Sequence, residues 1–311
     1  MAGPATLSPT ARRNLSAVLF RLGAVVAMGT MTALVKMATD RGAHTFEIAF
    51  FRNAFAFIPL ILYVGATRSA RALRTTRPLG HLVRAAIGVA GMLCGFSALA
   101  YLPLTEFTAI TFAAPLFITA LSAPVLGEKV GPHRWAAVIV GFIGVLLMVR
   151  PDPGHLIGLG SLLALGQAFG TAGAMLAIRQ LGGTEPGVTI VFYFTLAAMV
   201  VGAVGMPFAW TSPGPELLTI LVLTGICGGV GQMLLTQAYR LGPVALVAPF
   251  DYVTLLWTGL LGYLIWRETP SAGTIAGGVI VMASGLYVLS REHRAHRRAA
   301  SETGGDDDGW T

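Results

Sequence analysis

Long apolar runs separated by short polar segments dominate this chain. A membrane helix needs roughly 20 mostly apolar residues to cross about 30 Å of hydrocarbon. Ten windows meet this requirement, at 16–38, 44–65, 81–102, 104–126, 134–150, 156–178, 187–208, 216–238, 243–265 and 271–290. Because most connections are very short, successive helices should be antiparallel neighbours. The pattern therefore predicts an all-α polytopic membrane protein with ten transmembrane helices.

Composition supports lipid as the solvent of these runs. Hydrophobic residues make up 55% of the chain and charged residues 11%, and the mean hydropathy is +0.73. A soluble domain carries about 25% charged residues. The first apolar run continues to about Ala38, too long for the apolar region of a signal peptide. It is therefore predicted as the first membrane helix, and the lipid bilayer as one partner of the chain.

The distribution of Lys and Arg predicts the orientation. With an inside N-terminus, the inside segments hold sixteen of the 21 basic residues, Arg21 and Arg84 among them, and the outside segments four. This bias places both termini in the cytoplasm of a bacterial inner membrane. The positive charges lie in short segments and not on a folded basic face, which argues against nucleic-acid binding.

An internal repeat relates the two halves at an offset of 140 residues. The matched positions, first copy before second, are Ala98–Pro103 with Ala238–Pro243, Gly88 with Gly228, Gly91 with Gly231 and Glu128 with Glu268. Several matches in order indicate duplication. The predicted divisions are an N-terminal arm (1–14), a first five-helix repeat (15–150), a second (155–290) and a disordered tail (291–311).

Each predicted unit holds five helices, so the second copy must enter the membrane in the opposite sense to the first. Inverted repeats are typical of secondary transporters, whose substrate site lies near the midplane between the repeats. A duplicated structural bundle without transport is the alternative interpretation.

The chain resembles the EamA-type family of the drug/metabolite transporter superfamily over about residues 15–290. The resemblance rests on the two repeats, on Pro115 within a span, on the span ends Gly127-Glu128 and Arg267-Glu268, and on the stretch Ala245–Glu268. One departure is that Leu255 stands where Pro115 would repeat, while the second copy has Pro249 earlier. The resemblance implies transport of a small organic metabolite: an amino acid or derivative, a vitamin or a nucleoside-like solute.

Arg52 is the strongest candidate binding residue, because it lies inside the second span. An unpaired arginine near the bilayer centre costs about 2.5–3.5 kcal/mol on insertion scales. Its side chain should therefore face the bundle interior. There it either binds an anionic group of the substrate, such as a carboxylate, or makes a structural ion pair or a contact to backbone carbonyls.

Asp251 is the second candidate, an acidic residue well inside a span beside Pro249. Its carboxylate could bind a substrate amine, carry a coupling proton, pair with Arg52, or lie solvated at the membrane interface. Polar and aromatic side chains that could line the same cavity are Gln167, Tyr193, Gln232, Tyr252, Trp257 and Tyr101. The amides could instead hold helices together, and the aromatic residues could form an interfacial belt. Lys36 and Glu47, near the outer span ends, should extend to the interface.

The sequence lacks the residues that several other functional classes require. Neither lysine, Lys36 or Lys129, belongs to a phosphate-binding loop, so ATP does not drive transport directly. No cofactor or metal is predicted, and the six histidines lie at span edges, in loops or in the tail, which argues against an enzyme. The sequence thus favours a secondary transporter with alternating access, with a small-molecule substrate and a second copy of the chain as a candidate homodimer partner. The alternatives are a passive channel and, less favoured, an intramembrane enzyme.

Overall fold

The computed structural model describes residues 9–67, 73–127, 131–149, 158–242 and 244–303, and these residues form helices without strands. The helices are α1 (Pro9–Asp40), α2 (Thr45–Ala66), α3 (Pro78–Ala98), α4 (Leu104–Thr111), α5 (Ala114–Leu126), α6 (Pro132–Val149), α7 (Leu159–Gly182), α8 (Gly187–Gly205), α9 (Pro215–Leu241), α10 (Val244–Val247), α11 (Val253–Trp266) and α12 (Ala272–Thr303).

Eight of the ten predicted windows correspond to described helices that are long and apolar enough to cross a membrane. The last two windows correspond to the shorter apolar helices Phe250–Trp266 and Ala272–Tyr287. The all-helical, multi-pass fold is therefore confirmed, and the count of ten spans stays a prediction.

Both ends of the chain are more helical than expected. Helix α1 begins at Pro9, within the predicted arm, and α12 continues to Thr303, within the segment 291–311 predicted as disordered. Residues 291–303 are rich in Arg and Ala, which are strong helix formers, so extending an existing helix costs little there. Residues 1–8 and 304–311 lie outside the described part of the chain.

The fourth span of each copy is interrupted. Helix α4 ends at Thr111 and α5 begins at Ala114, with Pro115 in its first turn. The N–H groups of a first turn have no acceptor within the helix, so a proline there costs no hydrogen bond. In the second copy, α10 and a 3-10 turn (Ala248–Tyr252) precede α11, which begins at Val253. Both copies therefore resume their helix within one residue of the same repeat position, although their prolines differ.

The resumed helices also end alike. Gly127 and Arg267, 140 residues apart, cap α5 and α11 in the left-handed conformation with φ of 69° and 57°. Glycine adopts this conformation without cost, whereas a residue with a Cβ loses about 1 kcal/mol. The guanidinium of Arg267 lies 5.5 Å from the ring centroid of Tyr263, a contact that offsets part of this cost.

The most extensive helix contacts join the two copies: α1 packs on α9, α3 on α7, α6 on α12, and α2 on both α8 and α9. In the repeat, α1 corresponds to α7, α2 to α8 and α3 to α9. Replacing each helix by its counterpart therefore turns the α1–α9 contact into the α7–α3 contact and leaves the α2–α8 contact unchanged. At the two helix breaks, Phe112 and Tyr252 stack with ring centroids 5.4 Å apart, and these residues occupy one repeat position. The copies are thus interleaved.

Small residues allow the closest crossing. A Cβ added at Gly170 in α7 would lie 2.6 Å from the Cα of Gly91 in α3, so the two backbones are in direct contact. Large apolar side chains instead cover the outside of the bundle, where Leu62, Leu79 and Leu256 are about two-thirds exposed or more. In a membrane these side chains face lipid.

We expect Gly170→Leu to destabilise the protein by about 2 kcal/mol or more, because the added side chain must separate α3 from α7. Thermal unfolding in detergent measures the effect. Gly182→Leu is the matched control, since a Cβ at Gly182 meets no atom within 4 Å. Equal stability of the two variants would contradict the close crossing.

Candidate functional site

The two ends of the helix bundle differ. We call the end with the α1–α2 connection (residues 41–44) end A, and the end with the α2–α3 connection (residues 67–77) end B. A cavity of about 590 Å³ extends into the bundle from end B, between α2, α3, α8 and α9. Thr67, Pro186 and Gln237 line it near end B, and Arg52 lines it at depth. The two copies of the repeat therefore enclose one shared space.

Arg52 is held by its neighbours and retains unused donor capacity. Its Nη1 donates to Oδ1 of Asn53 at 2.7 Å, and Asn53 donates from Nδ2 to the carbonyl oxygen of Ala49 at 2.7 Å. Asn53 also approaches Sδ of Met92 in α3 at 3.7 Å. The buried Nε of Arg52 has no hydrogen-bond partner among the described residues.

The absence of a side chain at Gly228 in α9 leaves room for the guanidinium of Arg52. A Cβ added at Gly228 would lie 3.3 Å from Nε of Arg52, so the cation rests against a stretch of bare helix backbone. Gln232, one turn further along α9, also lines the cavity. The structure thus brings together two of the predicted site residues, Arg52 and Gln232.

A second cation in this cavity was missed. Arg84 was counted only as one of the inside positive charges, but it lies in α3 and lines the cavity. Its guanidinium carbon lies 4.3 Å from the ring centroid of Phe194, and its buried Nε and Nη1 have no hydrogen-bond partner among the described residues. The sequence did carry a signal for this position, because Arg84 falls inside the predicted span 81–102. No aspartate or glutamate stands among the described residues that line the cavity.

Apolar and neutral side chains form most of the remaining wall. Ala56 and Leu60 of α2 face Ile190 and Val191 of α8 across the cavity, and Tyr63 lies nearer end B. A wall of this kind excludes water from the body of a solute while leaving the two guanidinium groups to meet its charges.

End A is closed by a set of polar contacts that we call the end A closure. Asp40 accepts a hydrogen bond from Nε1 of Trp266 at 2.7 Å and lies 3.7 Å from Nζ of Lys36. Arg41 pairs with Glu216 of α9 at 2.7 Å. These contacts connect α1 to α9 and α11, so they hold the two copies together at this end.

Lys36 and Glu47 are buried, not interfacial as predicted. Lys36 is 8% exposed, and its Nζ approaches the carbonyl oxygens of Leu99 and Leu102 at 3.5 and 3.2 Å, beyond the end of α3. Glu47 is fully buried and accepts a hydrogen bond from Thr211 at 2.5 Å. Both residues find partners in the bundle, so they strengthen the end A closure.

Asp251 forms an ion pair with Arg21 of α1, and not with Arg52. Of the roles left open for Asp251, pairing with Arg52 is the one that this structure contradicts. Helix α1 packs against α11 and the turn before it, which brings Arg21 to Asp251, whereas α2 packs on α8 and α9. Arg21, like Arg84, was counted among the inside positive charges and lies within a helix.

Two further aromatic candidates lie at helix contacts outside the cavity. Trp257 donates from Nε1 to the hydroxyl of Thr30 at 3.2 Å, where Gly29 leaves room for the indole ring. Tyr252 stacks on Phe112, and its hydroxyl lies beside Gly285 of α12.

The other three candidates also lie away from the cavity. The amide of Gln167 fills the space above Gly95 at the α3–α7 crossing. The ring of Tyr193 lies 4.7 Å from the ring of His81, and Tyr101 is 59% exposed in the turn after α3. The α3–α7 contact thus uses Gln167 as a packing residue, as the alternative interpretation held.

A buried polar cluster connects two loops beside the mouth of the cavity. Oε1 of Glu185 accepts hydrogen bonds from the hydroxyl of Thr75 at 2.9 Å and from the N–H of Thr76 at 3.0 Å, while Oε2 lies 3.5 Å from Nε2 of His81. Burial acts to raise the pKa of Glu185, but these hydrogen bonds outweigh it and hold the pKa below its ordinary value. The carboxylate is thereby occupied and does not face the cavity.

The described residues contain no group of three metal-binding side chains, and Cys94 and Cys227 are both free thiols. Polar chemistry in the cavity therefore comes from guanidinium, amide and hydroxyl groups. An arrangement of this kind can bind and release a charged solute.

Comparison with known proteins identifies the relatives of this arrangement. The family model described as "EamA-like transporter family" matches residues 15–150 and 158–291. The pseudopaline exporter CntI of Pseudomonas aeruginosa (strain UCBPP-PA14) is 31% identical over 280 residues, covering 89% of this chain and 96% of the relative. The S-adenosylmethionine uptake transporter of Rickettsia prowazekii is 30% identical, covering 81% of this chain and 85% of the relative.

Two further comparisons agree. The riboflavin transporter of Rhizobium johnstonii is 28% identical over 293 residues, covering 93% of this chain and 95% of the relative. One solved crystal structure superposes with a TM-score of 0.63 at 21% identity, covering 90% of this chain and 99% of the other. That structure supports the fold alone.

We expect Arg21→Gln and Asp251→Asn each to destabilise the protein by about 2 kcal/mol, because each leaves a charged partner unpaired. The double variant should recover most of the loss, since it leaves neither charge behind. A double-mutant cycle on thermal unfolding measures the coupling. Additive losses in the double variant would show that the ion pair contributes nothing.

Proposed function

The chain belongs to the EamA-like transporter family, and on that premise we propose that it moves a small organic anion across the membrane by alternating access. The family and the relatives establish a transporter of small metabolites, not an enzyme. The relatives' names include an exporter and uptake transporters, so the similarity assigns no direction of transport.

The proposed architecture is ten transmembrane helices in two inverted five-helix repeats. The reciprocal contacts, α1 with α9 and α7 with α3, support it, because each helix meets the partner that its counterpart meets in the other copy. The interrupted fourth spans and the matching caps at Gly127 and Arg267 support it further. Five helices in each copy make the second copy inverted.

The proposed location is the bacterial inner membrane, with both termini and end B in the cytoplasm. Removing Arg21 and Arg84 from the sixteen inside positive charges leaves fourteen against four, so the bias still favours this orientation. In this orientation the cavity opens to the cytoplasm, and the end A closure separates it from the outside. The conformation is thus the inward-facing state of the transport cycle.

The environment of Arg52 is the observation that carries the proposal. A guanidinium with a buried, unpartnered Nε lies deep in a cavity whose described lining contains no acidic residue. Such a group is costly in hydrocarbon until an anion meets it. A carboxylate can accept two parallel hydrogen bonds from guanidinium, which makes it the fitting partner. Gln232 supplies a neutral donor and acceptor beside it.

We expect Arg52→Gln to weaken substrate binding roughly 30-fold, since a charge-assisted hydrogen bond contributes about 2 kcal/mol. A thermal-shift screen of the purified protein against a metabolite panel identifies the substrate, and saturable uptake into proteoliposomes then measures transport. Arg77→Gln is the control, because it removes the same charge from an exposed position at end B.

Unchanged uptake by a well-folded Arg52→Gln variant would exclude the substrate role of Arg52. Uptake that rises linearly with substrate concentration would instead indicate the passive channel.

The end A closure generates a second expectation. Trp266→Phe removes the hydrogen bond to Asp40, worth about 1 kcal/mol, and should shift the conformational equilibrium toward the outward-open state about fivefold. A cysteine at Gln232, deeper in the cavity wall, in a background without Cys94 and Cys227, then reports on the cavity. Labelling by an impermeant maleimide added outside should rise in Trp266→Phe, and labelling from the inside should fall. Equal labelling of both proteins from both sides would contradict this role.

A further inference from the structure

Arg84 is a second cation in the cavity, and the proposed anchoring role of Arg52 leaves it without a function. It lies in the wall of the cavity and not on a loop surface. A positive charge that serves only membrane orientation needs contact with water or lipid head groups. The Nε and Nη1 atoms of Arg84 are buried without a hydrogen-bond partner in the described chain, so orientation alone does not explain this placement.

The environment of Arg84 holds its guanidinium toward the cavity. One face lies over the ring of Phe194 in α8, 4.3 Å from its centroid. The side chain also bends along its own helix, since a Cβ added at Gly88 would lie 2.3 Å from Nη1 of Arg84. Glycine at position 88 is what allows this bend. A guanidinium stacked on one face keeps its edge available for an oxyanion.

The two cations lie at different depths of one cavity. Asn53, next to Arg52, is level with Met92 of α3, because their side chains are 3.7 Å apart. Arg84 precedes Met92 by eight residues in the same helix, a separation of about 12 Å along the helix axis. The bend over Gly88 brings the Arg84 guanidinium about one helical turn back toward Arg52.

Apolar and neutral groups lie between these cations. Ala56 follows Arg52 by one turn along α2 toward end B, and Thr195, next to Phe194 in α8, lines the same space. The lining therefore presents a cation, an uncharged stretch and a second cation. The nearest acidic cluster, at Glu185, is already engaged by Thr75 and Thr76.

We propose that the substrate carries two oxyanion groups at opposite ends of an uncharged body, one bound by Arg52 and the other by Arg84. This inference rests on the proposed function, because it takes Arg52 as the anchor of the first group. The second group explains why the carrier has a partly buried cation in the cavity wall on the end B side of Arg52. Single-anion solutes leave Arg84 unpaired and should bind more weakly.

The test compares solutes that differ only in their second charge. The probes are linear α,ω-dicarboxylates from succinate to sebacate, each paired with its monomethyl ester, and binding to the purified full-length protein is followed by thermal shift. We expect at least one diacid to bind tenfold or more tightly than its monoester, with an optimum chain length that spans both guanidinium groups. A phosphonocarboxylate of the optimum length then distinguishes a phosphate from a carboxylate as the second group.

The variants assign the preference to a residue. Arg84→Gln should reduce the ratio of diacid affinity to monoester affinity to near one, a selective loss of diacid binding that a merely structural role would not produce. Arg84→Lys should keep part of the preference, because lysine retains the charge but not the bidentate geometry. Arg77→Gln should leave the ratio unchanged.

The outcomes separate the two proposals. Monoester binding that depends on Arg52, without any diacid preference, would overturn the two-anion inference and leave the proposed function intact. Binding unaffected by Arg52→Gln would overturn both. A diacid preference that persists in a folded Arg84→Gln variant, or no binding by any diacid, would also overturn the inference.

Discussion

A polar group surrounded by hydrocarbon needs a partner inside the protein, and this requirement organises the bundle. Thr108 and Thr224 meet it within their own helices by donating to the carbonyl four residues earlier. Arg21 meets it through Asp251. Arg52 and Arg84 retain buried N–H groups without partners, and both line the same cavity. Unpartnered buried atoms also occur outside the cavity, for example in Glu47 and His81, but Arg52 and Arg84 combine them with a place in the cavity wall.

The same requirement explains the difference between the two ends. At end A, the charges of Lys36, Asp40 and Arg41 are all paired or bonded to backbone, and the helices are in contact. At end B, α2, α3, α8 and α9 surround the cavity. A carrier needs this contrast, because a cavity open at both ends would be a pore.

Hydropathy predicted the helices well and their mutual arrangement only in part. Pro115 marked the break in the fourth span, and Arg52 was recognisable because it lies far from either window edge. Arg84 was not, because a charge near a window edge looks the same in a loop and in a helix. The sequence also left the partner of Asp251 open, because it gives depth in the membrane, whereas only packing shows that α1, and not α2, faces Asp251.

Phe112 and Tyr252 show what duplication in one chain permits. A separate five-helix protein that paired with its own copy would place every side chain twice. When α2 and α8 are aligned at their first residues, Arg52 corresponds to Phe194. At the repeat offset of 140 residues, Arg84 corresponds to Thr224. Fusion lets the copies differ, so the cavity holds two guanidinium groups where a symmetric dimer with both arginines would hold four. That smaller charge is one that a single small molecule can neutralise.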